Sequence, residues 1–264
     1  MTRYIICLFG ILLCSPAFIP VDEWFSHPDT TPAKKQISII DQLKQIEKKK
    51  GKIEVLVLGD SVALGQGSTK NNKGYDWYIK HFMEKRHFNI QYRNRAISGQ
   101  RSTGLLHQLQ TKRSLKKEVE QADLIFVTIG GNNLLQPLLK SDSLWDVLKQ
   151  LPAIQAQYED NMRIILKIVH SRNSKAVVVL TSLYNPLRPT SPHYDKAAWV
   201  MRNWNDRLKD VASHYDQAVV VDLEKFLSSH YLADPIHPND QGYRWIGTQC
   251  ILALQTEKIP LKKQ

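Results

Sequence analysis

Five short apolar runs, at residues 53–58, 88–92, 124–129, 176–181 and 218–223, punctuate the chain. Four are rich in β-branched residues and almost uninterrupted by polar ones, the pattern of strands buried on both faces. Between them, residues 74–86, 102–121, 153–171 and 196–214 carry apolar side chains at helical spacing, and 239–254 closes the series. Strands alternating with helices predict an α/β fold with right-handed crossovers and helices on both sides of a parallel sheet. The expected architecture is a three-layer α/β/α sandwich of the flavodoxin-like type around a five-stranded parallel sheet. Ligands then belong at the carboxyl ends of the strands.

Upstream of the first run the pattern changes. Residues 22–52 are polar, with Pro28 and Pro32 ahead of an Ile37, Ile40, Leu43, Ile46 series. They read as a linker and an amphipathic helix lying before a domain that spans 53–264. The helix ends at Lys48-Lys49-Lys50-Gly51-Lys52, which suits a helix C-terminus and also offers a tether to an anionic membrane or wall surface. Residues 1–21 combine Arg3, an uncharged run from 4 to 21, and Cys14-Ser15-Pro16-Ala17. They read as a signal peptide cleaved after Ala17, with an uncleaved N-terminal anchor as the alternative; either implies export.

Composition narrows the class. With 42% hydrophobic and 23% charged residues among 264, the chain can build one ordinary core, which excludes disorder and a membrane bundle. A net charge of +11 favours anionic surroundings. No nucleic-acid motif accompanies it, so no nucleic-acid partner is expected. Of three cysteines only Cys250 lies in the domain, so neither a disulfide framework nor a thiolate zinc site is expected. The chain is expected to be a monomer.

The residues just after each strand are the ones to inspect for chemistry. Gly59-Asp60-Ser61 follows the first. A serine at a tight strand-to-helix turn presents its hydroxyl at the sheet edge, although Asp and Ser also fill helix N-caps routinely. Asn94-Arg95-Ala96-Ile97-Ser98-Gly99 follows the second and Gly130-Gly131-Asn132-Asn133 the third. An Asn side chain donates a hydrogen bond without bringing charge, which suits a developing oxyanion, while Gly-Asn pairs also make ordinary turns. Asp234-Pro235-Ile236-His237-Pro238 precedes the last helix. Three residues apart on a stiffened turn, the carboxylate can hold one ring nitrogen and leave the other to accept a proton, or the pair can be a surface ion pair.

Taken in order, Gly59-Asp60-Ser61, Gly99, Gly130-x-Asn132 and Asp234-x-x-His237 resemble the four sequence blocks of the SGNH (GDSL) hydrolases across residues 53–254. The layout is most similar to small secreted bacterial lipases and acylhydrolases. The resemblance implies serine ester hydrolysis, with Ser61 as nucleophile, His237 as general base and then acid, and Asp234 orienting His237. It implies an oxyanion hole made by the backbone N–H groups of Ser61 and Gly99 and the side chain of Asn132, and a reaction that needs neither metal nor organic cofactor. Asn133 departs from the family pattern, which usually carries Asp there.

Substrate choice is less legible. Tyr75, Trp77, Asn133, Leu134 and Tyr184 are the candidate substrate-binding residues, and the aromatic ones serve a core equally well. Leu134, Leu135, Leu138 and Leu139 either face an acyl chain or form the buried side of a helix. The expected substrate is an ester of a lipid or of an acylated carbohydrate. A carbohydrate O-acetylesterase acting on wall polysaccharide would use the same residues with a shallower acyl pocket. The remaining reading is a non-catalytic flavodoxin-like binding module, but Gly65-Gln66-Gly67-Ser68-Thr69-Lys70 fits no phosphate-loop pattern.

Overall fold

The computed structural model describes residues 35–69, 73–140, 144–226 and 228–261. The expected signal peptide or anchor at 1–21 and the linker at 22–34 lie outside the described residues. The first half of the chain forms β1 (Gln36–Ser38), α1 (Ile39–Lys50), β2 (Ile53–Gly59), α2 (Ser61–Leu64), α3 (Tyr75–Lys85), β3 (Ile90–Asn94), α4 (Ser102–Thr111) and α5 (Arg113–Gln121). Then come β4 (Leu124–Thr128), α6 (Gly131–Lys140), α7 (Leu144–Arg172), β5 (Val177–Thr181) and α8 (Tyr194–Ser213). The chain closes with β6 (Ala218–Val221), α9 (Ser228–Tyr231), α10 (Asp240–Thr256) and β7 (Lys258–Pro260).

Strands β2 to β6 make one parallel sheet in the order β3-β2-β4-β5-β6. This is the flavodoxin-like order, whose direction reverses between β2 and β4 and leaves a crevice at their carboxyl ends. Side chains alternate across the sheet because successive residues of a strand point to opposite faces. Ile53, Val55 and Val57 enter one core with α1, α3 and α10, while Leu56 and Leu58 enter the other with α4, α5, α7 and α8. Two-sided burial explains why these strands are apolar almost without interruption.

Two expectations need correction. Residues 36–50 are not an extension ahead of the domain. Ile39, Leu43 and Ile46 are buried in the first core, Ser38 caps α1 by accepting from the Asp41 N–H, and β1 pairs antiparallel with β7, Ile37 opposite Ile259. The compact unit therefore runs from Lys35, not from residue 53. The helix expected over 102–121 is two helices, because Lys112 adopts an extended backbone (ψ 107°) between α4 and α5.

The basic turn after α1 sits at the amino end of β2. There Lys50 pairs with Asp123 (2.7 Å) and Lys52 with Glu54 (2.7 Å). Since β2 spans about 20 Å at the rise of an extended strand, this basic turn lies at the far end of the strand from the candidate chemistry.

Candidate active site

Strand β2 ends at Gly59, where φ is +141° and a Cβ would stand 2.0 Å from the carbonyl oxygen of Thr128. Only glycine fits that turn. Asp60 then caps α2, its Oδ1 accepting from the Val62 N–H at 3.0 Å, and Ser61 opens the helix. Burial pushes the Asp60 carboxyl up to about 7, against the opposing hydrogen bonds from the Val62 and Ala63 amides.

A folded-state value above the ordinary one means that, between about pH 4 and 7, the native state binds more protons than the unfolded chain, so Asp60 lowers stability as pH rises. Asn caps a helix as well as Asp does. Asp60→Asn is therefore expected to gain stability over the wild type by roughly 2–3 kcal/mol more at pH 8 than at pH 5. Thermal unfolding of both proteins at the two pH values checks this, and an equal difference at both would refute it.

The turn ahead of α10 supplies the facing groups. Asp234 Oδ1 accepts from the N–H groups of Ile236 (2.9 Å) and His237 (2.7 Å), and Oδ2 lies 2.7 Å from His237 Nδ1. On the other side of the ring, His237 Nε2 lies 3.0 Å from Ser61 Oγ. Ser61 and His237 are buried, whereas the Asp234 side chain is 41% exposed. Its burial works to raise the Asp234 carboxyl, but the Ile236 and His237 amides and the His237 ring outweigh it and hold the group below its ordinary value. Tyr184, stacked on Phe226, donates from its hydroxyl to the Ile236 carbonyl (2.5 Å) and so braces this turn from the end of β5.

Gly99 sits in the loop between β3 and α4 at a φ of +74°, with open space where a side chain would be. Among the described residues, the backbone N–H groups of Ser61 and Gly99 have no protein acceptor. Asn132 lines the same cavity as Ser61, and its Nδ2 donates to the Gln100 carbonyl at 3.1 Å, leaving its second N–H for another acceptor.

Beside Ser61 and His237 opens a cavity of about 150 Å³. Its walls are mainly apolar: Leu134, Leu135 and Leu138 from α6, Leu183 and Pro186 after β5, and Met201 from α8. Leu138 and its neighbour Leu139 remain 43% and 75% exposed. Thr128 and Thr181 also line it, and Thr128 Oγ1 lies 2.8 Å from both Thr181 Oγ1 and the Tyr75 hydroxyl.

Of the five candidate substrate-binding residues, Leu134 and Tyr184 line this cavity. The other three are corrected. Tyr75 is fully buried among the core residues of the first layer, its ring edge-on to Phe126 and its hydroxyl bonded to Thr128. Trp77 packs on His81 and Tyr78, with Lys73 over its ring, away from the cavity wall. Asn133 is fully buried and bonds to Ser102. Sequence reasoning missed Thr128 and Thr181, whose signal is a threonine closing an otherwise apolar strand. It also missed Met201, which carries none, since one methionine on an amphipathic helix reads as core. Among the described residues, no three His, Cys, Asp or Glu side chains gather as a metal site.

The sequence profile of the GDSL-like lipase/acylhydrolase family matches residues 57–245. YpmR, an uncharacterised protein of Bacillus subtilis (strain 168), is 27% identical over 221 residues, 81% of this chain and 86% of its own. The spore germination lipase LipC of Bacillus licheniformis is 29% identical over 199 residues, covering 72% of this chain and 91% of the relative. Among solved structures, the lipase Lip_vut3 from a goat rumen metagenome superposes with a TM-score of 0.67 at 24% identity, covering 76% of this chain and 97% of the other.

Proposed function

Because this chain belongs to the GDSL-like lipase/acylhydrolase family and is a carboxylic-ester hydrolase, we propose that Ser61, His237 and Asp234 form its catalytic triad and that it prefers acyl groups longer than acetyl. His237 Nε2 takes the proton of Ser61 Oγ as that oxygen attacks the ester carbonyl. Asp234 holds the Nδ1–H, so the lone pair of the neutral ring faces the serine. The Ser61 and Gly99 amides and the free N–H of Asn132 stabilise the tetrahedral oxyanion. His237 then protonates the leaving alcohol, and a water activated by the same ring releases the acid from Ser61.

The observation that carries the acyl preference is the apolar cavity beginning beside Ser61. An acetylesterase needs no such wall. Each methylene that enters gains about 0.8 kcal/mol, roughly fourfold in kcat/KM. Hydrolysis of p-nitrophenyl esters from acetyl to palmitoyl is expected to rise from acetyl to a maximum between butyryl and octanoyl. A maximum at acetyl would overturn the preference and favour the O-acetylesterase reading.

Export belongs to this proposal too, since residues 1–21 have the basic start, apolar run and small residues of a signal sequence. So does a lipid ester as the natural substrate, supported by the cavity wall and by the likeness to LipC.

A further inference from the structure

We propose that Asn133 is a positioning residue that holds one oxyanion donor, Asn132, from behind, in register with the loop that carries Gly99. This rests on the oxyanion assignment above. The donors come from three segments that are far apart in sequence: the end of β2, the loop before α4 and the start of α6. A hydrogen bond to an oxyanion is sensitive to errors of about 0.5 Å, so something must tie these segments together.

The first residues around α4 are where the ties converge. Gly99 offers its carbonyl to Gln136 Nε2 (2.7 Å), and Gln100 offers its carbonyl to Asn132 Nδ2 (3.1 Å). The Gln100 side chain, oriented to satisfy both neighbours, donates to the Gly59 carbonyl (2.7 Å) and accepts from the Leu105 N–H (3.1 Å). Ser102 completes the set. Its N–H donates to Asn133 Oδ1 (3.0 Å), Asn133 Nδ2 donates to Ser102 Oγ (2.9 Å), and Asn161 Nδ2 from α7 donates to the same oxygen (2.9 Å).

The Asn133–Ser102 pair is the most deeply buried of these ties. Both residues are 0% exposed, whereas the Gln136–Gly99 bond lies at the surface, where water competes for it. Two bonds between the same two residues fix rotation as well as separation, and Asn133 is the direct chain neighbour of Asn132. The amide sets the position of one donor, Asn132, relative to the segment carrying another, Gly99.

The test is a double-mutant cycle on p-nitrophenyl butyrate, with Ser61→Ala run beside it. Asn133→Ala is expected to lower kcat by about 10- to 100-fold with KM within about twofold. That is short of the 10²–10³ expected for losing a donor outright in Asn132→Ala. Asn133→Asp keeps an acceptor for the Ser102 N–H and gives the Ser102 hydroxyl a second one to donate to, so it should restore kcat to within about threefold. Because Asn133 acts through the donor, Asn132→Ala/Asn133→Ala should be no slower than Asn132→Ala alone, within about threefold.

A merely structural role would lower Tm and leave kcat below Tm unchanged, or would give additive losses, and either result overturns the proposal. If Asn133→Ala does not fold, Ser102→Ala removes the hydroxyl arm and keeps the N–H bond. It should lower kcat by about 3- to 10-fold, again without adding to Asn132→Ala, and wild-type kcat in it overturns the proposal. Activity surviving in Ser61→Ala would instead sink the functional reading on which the clamp depends.

Discussion

Ser61→Ala is expected to lower kcat for ester hydrolysis by about 10⁶, the scale seen when the nucleophile of a serine hydrolase is removed. The reason is geometric. Ser61 Oγ lies 3.0 Å from His237 Nε2 at the opening of the cavity, and an alanine there leaves the base with no proton to take. His237→Ala should cost about as much, and the double variant no more than either, because the two residues act as one unit. Steady-state kinetics on the butyryl ester, with mass spectrometry of a phosphonate adduct to locate the labelled residue, reads both. Turnover in Ser61→Ala within 100-fold of wild type, or an adduct elsewhere, would remove Ser61 from the mechanism.

Asp234→Asn is expected to lower kcat by about 10³ to 10⁴ with the fold intact. Two backbone N–H groups, those of Ile236 and His237, point at Asp234 Oδ1. An asparagine must keep its oxygen there, which turns its NH₂ toward His237 Nδ1. That nitrogen then has to accept, so the ring proton moves to Nε2 and faces Ser61, and the base is lost through the wrong tautomer. The lower end of the range reflects exposure: with 41% of the Asp234 side chain in solvent, water can replace part of its effect. A variant within tenfold of wild type, by kcat on the same ester, would show that His237 is oriented by something else.

Much of this was legible in the chain itself. Residues 124–127 and 177–180 are continuous apolar runs because β4 and β5 are buried on both faces, and burial leaves a direct mark on composition. Gly59 and Asp60 were readable because a tight turn and a helix cap each demand a narrow residue type at a fixed spacing, and Ser61 because it stands directly after them at the start of the helix. Asp234 and His237 were readable for the same reason, since they stand three positions apart and meet at 2.7 Å.

Other features had no local signature. Strands β1 and β7 are three residues each and meet across more than two hundred residues of sequence, so nothing nearby announced that α1 belongs to the core. Tyr75 and Trp77 lie close in sequence to Ser61, yet the face of a helix that an aromatic residue occupies is set by what packs against it. Here α3 turns Tyr75 into the core and Trp77 onto His81. Asn133 looked like a loop residue one position out of pattern. Its partner Ser102 is 31 residues away, and no periodicity links them.

The sequence by itself determined the sheet, the order of the blocks and the residues proposed to react, because local backbone geometry and two-sided burial restrict which residues can stand at each position. Tertiary structure alone decided which leucines line the cavity, where the basic turn faces, and which buried amide ties the start of α6 to the start of α4. Those depend on contacts between residues distant in the chain, and a distant contact places no constraint that can be read from one segment at a time.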